Sequence, residues 1–264
     1  MNAGRTIFEP AEHESVADSV VHQIEGLIVA GVLRQGMRLP SERDLTEQLK
    51  VSRAKLREAL KRLEDKKLIY VRHGGGTYVA QLMGEAMSPA LVDLYASHAT
   101  AFFDYLEYRR QQERIAARWA AERATAVDHA IIKAFLDQMD AAHAAHDTDD
   151  AQTADIGFHA AIVDASHNST LIHMMASIYE LTRRGVFYNR DYLRGLDGTG
   201  TKLLAQHHAI GNAILMGDAD AAADAASAHL DFVEQSFRAS QESARRQAIA
   251  YKRIFLTEGL HARN

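Results

Sequence analysis

The sequence predicts a mostly α protein in two parts: an N-terminal winged helix-turn-helix with a small β-hairpin wing, and a C-terminal all-α helical bundle. Three observations lead there. Residues 40–80 read in order as a capped short helix, a tight turn, a basic helix and two short apolar runs around a glycine-rich tip. From about residue 90 the chain is rich in Ala, Leu, Glu, Gln and Arg, has no proline after Pro89 and offers no strand candidate. Positive charge is gathered near the front: residues 34–72 hold 12 Lys and Arg against 6 Asp and Glu, while residues 81–264 hold 17 against 24.

The elements follow in order. The first dozen residues are expected to be loose. Val16, Val20, Val21, Ile24, Leu27 and Ile28 then form an apolar stripe at helical spacing, giving a helix against which two others can pack. Ser41 caps the next helix, with Asp44 three residues on and Leu45 and Leu49 on one face. Lys50 and Val51 make the turn, and Ser52 caps a second helix whose Leu56, Ala59, Leu60 and Leu63 must face a core. Arg53, Lys55, Arg57, Lys61 and Arg62 are left outside. Leu68–Val71 and Thr77–Val79 are β-prone runs joined through Gly74, Gly75 and Gly76, which can adopt positive φ.

Taken singly, the basic residues suit a solvated helix face and the glycines an ordinary hairpin tip. Taken in this order they suit a reading head for double-stranded DNA, because a basic helix directly before a glycine-tipped ribbon can enter a groove while the ribbon meets the backbone. A net charge of −5 over 264 residues implies that only the first part meets a polyanion. Apolar residues make up 47% of the chain, enough for a real core, and cysteine is absent, which excludes disulfides. With neither a signal peptide nor a long uncharged apolar stretch, the expected setting is the cytoplasm, away from membranes.

The domain bounds expected are 12–80 for the DNA-binding part, 81–89 (QLMGEAMSP) for a linker, 90–240 for a bundle of five to seven helices, and 241–264 for a basic C-terminal tail, frayed or an accessory helix. Within the bundle Asp155 and His159 stand four apart, so both project from one helix face. His207 and His229 lie on two later helices. One carboxylate with three imidazoles is a donor set suited to a divalent metal, zinc first, with nickel or manganese as alternatives. His207 is chosen over His208 because Ile210 and Ile214 mark its side as buried. Against this stands the plain alternative that a chain with 14 His places such pairs by chance, and that inward histidines often only satisfy a core hydrogen bond.

At LPSERDLTEQLKVSRAKLREALKRLEDKKLI and HGGGTYV the chain resembles the winged-helix domain of GntR-superfamily transcription regulators. At DIGFHAAIVDASHN, AQHHAIGNAI and AHL it resembles the metal-binding helices of their FadR-type branch, whose effector domain is termed FCD. The resemblance spans roughly residues 12–240. It implies that Asp155, His159, His207 and His229 hold a divalent cation whose coordination a small carboxylate effector completes. It implies DNA contacts by Arg43 on the first helix of the motif, Arg53, Lys55 and Arg57 on the second, and His73 with Gly74 at the wing, and Ser52 stands in the same set. Lys55 departs from the small hydroxyl residue usual at its position, which alters what operator sequence is read there. Arg109 matches an arginine that faces the ligand cavity, its alternative being a surface cation beside Arg110. Asn168 matches a pocket-side polar residue, its alternative being a cap for a helix starting at Ser169.

DASHNSTLIHMM and HLDFVEQ look most like regulators of pyruvate, lactate or glycolate metabolism. A long acyl effector fits less well, because a metal site would obstruct an apolar tail. The function expected is a homodimeric repressor of a palindromic operator, controlled by a 2-oxo or 2-hydroxy acid. The alternatives are a metalloenzyme or a metal sensor fused to a DNA-binding module. No HExxH or similar base-bearing motif accompanies the histidines, which weighs against hydrolysis.

Overall fold

The computed structural model describes residues 15–72, 74–82, 91, 98–183 and 198–261. The first dozen residues, His73 and most of the 81–89 linker lie outside the described residues. The chain divides into two compact units, Met1–Gly84 and Glu85–Asn264.

The first unit has three helices and a hairpin. Helix α1 (Val16–Val29) starts at Ser15, whose hydroxyl accepts from Asp18 N while the Asp18 carboxylate accepts from Ser15 N, a reciprocal cap. Its core face is Ala17, Val20, Val21, Ile24 and Ile28. Val16 and Leu27, expected in the stripe, are exposed, because at 3.6 residues per turn they fall on the flanks of the arc that the other five define. Helix α2 (Glu42–Leu49) is capped by Ser41 and ends at Lys50, which turns the chain with φ 53°. Helix α3 (Arg53–Asp65) is capped by Ser52 and buries Leu56, Ala59, Leu60 and Leu63. Leu39, Leu45, Ile69 and Val79 complete this core. Two ion pairs tie α1 to the end of α3: Arg62 to Asp18, and Lys66 to Glu25 at 2.7 Å.

Strands β1 (Ile69–Arg72) and β2 (Gly76–Val79) pair antiparallel, with Arg72 opposite Gly76. The strands sit within a residue of the expected runs. Gly75 N donates to Arg72 O at 2.9 Å, and Gly74 and Gly76 take φ of 72° and 103°. The loop before α2 runs along the outer edge of β2, with Leu39 N donating to Thr77 O and Val79 N to Met37 O, each at 2.9 Å. A short third strand-like segment therefore covers an edge that would otherwise expose unpaired backbone groups.

The second unit is helical throughout its described residues: α4 (Ala99–Arg123), α5 (Ala126–Ala145), α6 (Thr148–Ala165), α7 (Ser169–Arg183), α8 (Thr199–Leu215) and α9 (Ala219–His261). The breaks fall where local chemistry stops or starts a helix. Thr125 and Asp128 form a reciprocal cap, Asp147 accepts from Asp149 N and Asp150 N, and Gly198 and Gly217 take positive φ. Phe158, Leu106, Ile132, Met175, Ile210, Ile214 and Leu230 are buried together in one core. On the outside, Arg110, Arg114 and Arg118 of α4 pair with Asp231, Asp224 and Asp220 of α9, a ladder that holds the two helices side by side.

Helix α9 runs unbroken through residue 240 to His261, so the stretch expected as a frayed or accessory basic helix is helical as far as it is described. The stretch from Ala219 to Glu258 contains neither glycine nor proline, so nothing local ends the helix. Among the described residues no helix is long and apolar enough to cross a membrane.

Candidate functional site

Three helices of the second unit bring their histidines to one buried point. Asp155 and His159 project from α6 one turn apart, His207 comes from α8 and His229 from α9, and all four are buried. One ring nitrogen from each of the three histidines lies within 4.8 Å of the others. Asp155 stands beside two of them, its Oδ1 3.2 Å from His207 Nε2 and its Oδ2 4.0 Å from His159 Nε2. The Phe158 ring meets those of His159 and His207 edge to face, with ring centres 5.6 and 5.4 Å apart. His208, the neighbour passed over in favour of His207, points outward and pairs with Asp140 at 2.8 Å.

Two residues that the sequence reading missed set how these rings face. Glu113 on α4 takes Nδ1 of His159 at 2.7 Å through Oε2, and Gln206 Oε1 lies 3.1 Å from Nδ1 of His229. A histidine held through Nδ1 presents Nε2, and His159 Nε2 makes no hydrogen bond among the described residues despite being buried. Burial, followed by the neighbouring His207 and His229–His159 contacts, keeps His229 well below its ordinary pKa, so its ring is a neutral donor. A buried nitrogen without a hydrogen bond costs free energy unless something else binds it. Imidazole nitrogens converging beside a carboxylate are what a divalent cation requires, since donors bonded at about 2.0–2.1 Å to one ion sit within a few ångströms of each other.

Arg109 is not a surface cation. It is 2% exposed, its Nε donates to Glu113 Oε1, and its guanidinium lies 5.6 Å from the centre of the Tyr179 ring, whereas Arg110 faces outward to Asp231. Burial alone would lower the Arg109 pKa, but Glu113 beside it raises it well above its ordinary value. Burial alone would raise Glu113, but Arg109 and His159 hold it well below the usual carboxylate range. Both therefore stay charged. Tyr179, raised by burial and by Glu113, keeps its proton and donates to Glu113 Oε1 at 3.3 Å. A sequence signal for Glu113 existed, because Arg109 and Glu113 are four apart on one helix; Gln206 offered none beyond standing next to His207.

Of the two roles open for Asn168, the geometry displays the cap: its Oδ1 accepts from Leu171 N at 2.9 Å at the start of α7.

The residues expected to meet DNA lie in the first unit. Arg43, Ser52, Arg53, Lys55, Arg57 and Gly74 are all exposed. Ser52 is occupied in capping α3, which places Arg53 and Lys55 in that helix's first turn. Lys55 pairs with Glu58 at 2.8 Å, and Arg57 reaches back to Glu42 of α2 at 2.9 Å. His73, the expected wing probe, lies outside the described residues. Arg72 beside it stacks over the rings of Tyr70 and Tyr78, 5.7 and 4.9 Å from their centres, which stiffens the hairpin.

Residues 16–79 match the family described as "Bacterial regulatory proteins, gntR family", and residues 104–232 match the FCD domain. The chain is 35% identical to the "Putative L-lactate dehydrogenase operon regulatory protein" of Escherichia coli K12, over 88% of this chain and 90% of that protein. It is 32% identical to the Glc operon transcriptional activator of the same strain, over 85% and 90%, and 32% identical to the HTH-type transcriptional regulator LutR of Bacillus subtilis, over 79% and 94%. Among solved structures, that of Streptococcus agalactiae GntR superposes with a TM-score of 0.53 at 24% identity, covering 83% of this chain and 99% of that one, a likeness of fold.

Proposed function

The chain belongs to the GntR family of DNA-binding transcription regulators, in the FadR-type branch with an FCD domain, and from that premise we propose that a divalent cation and a small carboxylate in the second unit set its hold on an operator. The single observation that carries this reading is the convergence of His159, His207 and His229 beside Asp155, one helix away from a buried arginine.

Each residue has a part. His159, His207, His229 and Asp155 hold the cation, with zinc the best match to three imidazoles and a carboxylate, ahead of nickel and manganese. The bound ion supplies a Lewis-acidic anchor for oxygen ligands. Arg109, charged and desolvated, pairs with the effector's carboxylate, where a guanidinium gives directional, charge-assisted hydrogen bonds. A short 2-hydroxy or 2-oxo acid carries the carboxylate and adjacent oxygen that such a pair of anchors recognises, and a relative named for an L-lactate dehydrogenase operon points to the same class.

In the first unit Arg53 and Lys55, at the start of α3, read base edges, while Arg43, Arg57 and the backbone at Gly74 contact phosphate. Two copies would place two α3 helices in successive major grooves and so recognise a palindrome with half-sites about one turn apart. We assign the chain as a homodimeric repressor on this basis.

The matched families and relatives are transcription regulators, which disfavours the metalloenzyme alternative. Glu113, the carboxylate that hydrolysis would need as a base, is committed to Arg109 and His159. Titrating the purified protein with zinc, then with candidate acids, while following binding to operator DNA separates the readings. Response to acid on the zinc-loaded form supports effector control, response to zinc alone supports a metal sensor, and turnover of the acid supports an enzyme.

A further inference from the structure

Glu113 divides its two oxygens between the two halves of the site. Oε1 takes the Nε–H of Arg109 and, at 3.3 Å, the hydroxyl of Tyr179, while Oε2 takes Nδ1 of His159 at 2.7 Å. The side chain is 4% exposed, so bulk solvent does not reach it. An arginine–glutamate pair serving only to brace α4 would need one oxygen; here the second is spent on a ring from another helix.

We propose that Glu113 is the positioning residue joining the two anchors: it aims Nε2 of His159 at His207 and His229, and as the resident counter-ion of Arg109 it is what an incoming carboxylate must share that arginine with. The inference rests on the reading above, in which the histidines hold a cation and Arg109 receives an anion.

Two consequences have opposite signs. A carboxylate accepting from Nδ1–H orients the imidazole and raises its basicity as a ligand, so removing the charge weakens cation binding. The same removal leaves Arg109 without its counter-ion, so an external carboxylate meets an unshared guanidinium and binds more tightly. A purely structural carboxylate would shift both affinities in the same direction, by loosening the whole site.

The test uses the full chain and the Glu113→Gln variant. Zinc alone is titrated against a chromophoric chelator, and the visible spectrum of the cobalt(II) form is recorded. Acetate and L-lactate affinities are then measured at zinc concentrations that keep both proteins loaded. Glu113→Gln should lose roughly 10- to 100-fold in zinc affinity and shift the cobalt bands. It should gain at least about 5-fold in affinity for either acid.

Should Glu113→Gln fail to fold, Arg109→Met with Glu113→Leu replaces the buried pair by apolar groups of similar volume, an exchange that proteins tolerate. That double variant should show the same loss of zinc affinity. Wild-type protein that binds zinc no better than His159→Ala overturns the metal reading, and this inference with it. Wild-type binding with unchanged zinc affinity and cobalt spectrum in the Glu113 variants overturns the inference alone, as does a fall in both affinities.

Discussion

Gly157 and Phe135 share a space in which only one of them has room for side-chain carbon: a methyl built on Gly157 would lie 2.6 Å from Cζ of the Phe135 ring. Gly157 sits on α6 between Asp155 and His159, so Phe135 of α5 packs on the side of α6 away from those two proposed ligands. Gly211, one turn beyond His207, repeats the arrangement on α8, where a methyl would fall 2.6 Å from Leu136 Cδ1. Glycine at both positions leaves room for side chains of α5 against the two helices that present Asp155, His159 and His207.

Gly157→Ala should therefore destabilise the second unit by about 1–3 kcal/mol, the usual effect of overpacking, against a helix-propensity gain of about 1 kcal/mol. Zinc affinity should fall with it. Phe135→Leu in the same chain should restore both, and a thermal-unfolding cycle over the four proteins reads the coupling.

Arg109→Ala should be far costlier than its surface neighbour. It leaves Glu113 charged and buried without its guanidinium, a loss of about 3–5 kcal/mol. Arg110→Ala removes a partly exposed partner of Asp231 and Glu234 and should cost about 1 kcal/mol or less. Denaturation of the two variants checks the ranking; equal losses would contradict the burial of Arg109.

Much of this was legible in the sequence, because the deciding signals were local. Ser41, Ser52 and the glycine tip announce themselves within a few residues, and Asp155 with His159 share a face at a spacing any helix produces. Ile210 and Ile214 marked which of two adjacent histidines turns inward, and His207 does. What stayed hidden depends on contacts between distant segments. Glu113 meets His159 across 46 positions of chain, and the tight fits at Gly157 and Gly211 depend on which helices face each other.

At the DNA-reading face, Glu42→Gln should strengthen binding. Arg57 is paired with Glu42 at 2.9 Å, both exposed, so on the DNA contacts proposed above removing the carboxylate frees a guanidinium and takes away a negative charge that would repel phosphate. The gain should shrink as salt rises. Arg53→Ala should instead erase preference among sequences, by about 1–3 kcal/mol at the base it reads, without changing effector affinity. Equilibrium binding to specific and scrambled duplexes at several salt concentrations distinguishes the two effects.

Acid should weaken the first unit through Asp18. The Ser15 hydroxyl, then Arg62, hold its carboxyl at about 2, below the ordinary 3.8. A depressed pKa in the folded state adds stability that is fully present above the unfolded value and disappears as pH falls through the folded one. Protection of the α1 amides against hydrogen exchange, corrected for intrinsic rates, should drop between about pH 4 and pH 2 in the wild type. Asp18→Asn should be less protected above that window and converge with the wild type at its acid end.

The most direct measurement is the affinity of the zinc-loaded protein for duplexes from its own genomic neighbourhood, with and without a short 2-hydroxy acid. The account predicts selective binding to a palindromic site and a change of about 5- to 150-fold on adding the acid, a change lost in His159→Ala. Selective binding that the acid leaves untouched in the zinc-loaded protein, or an undiminished response in His159→Ala, would contradict it.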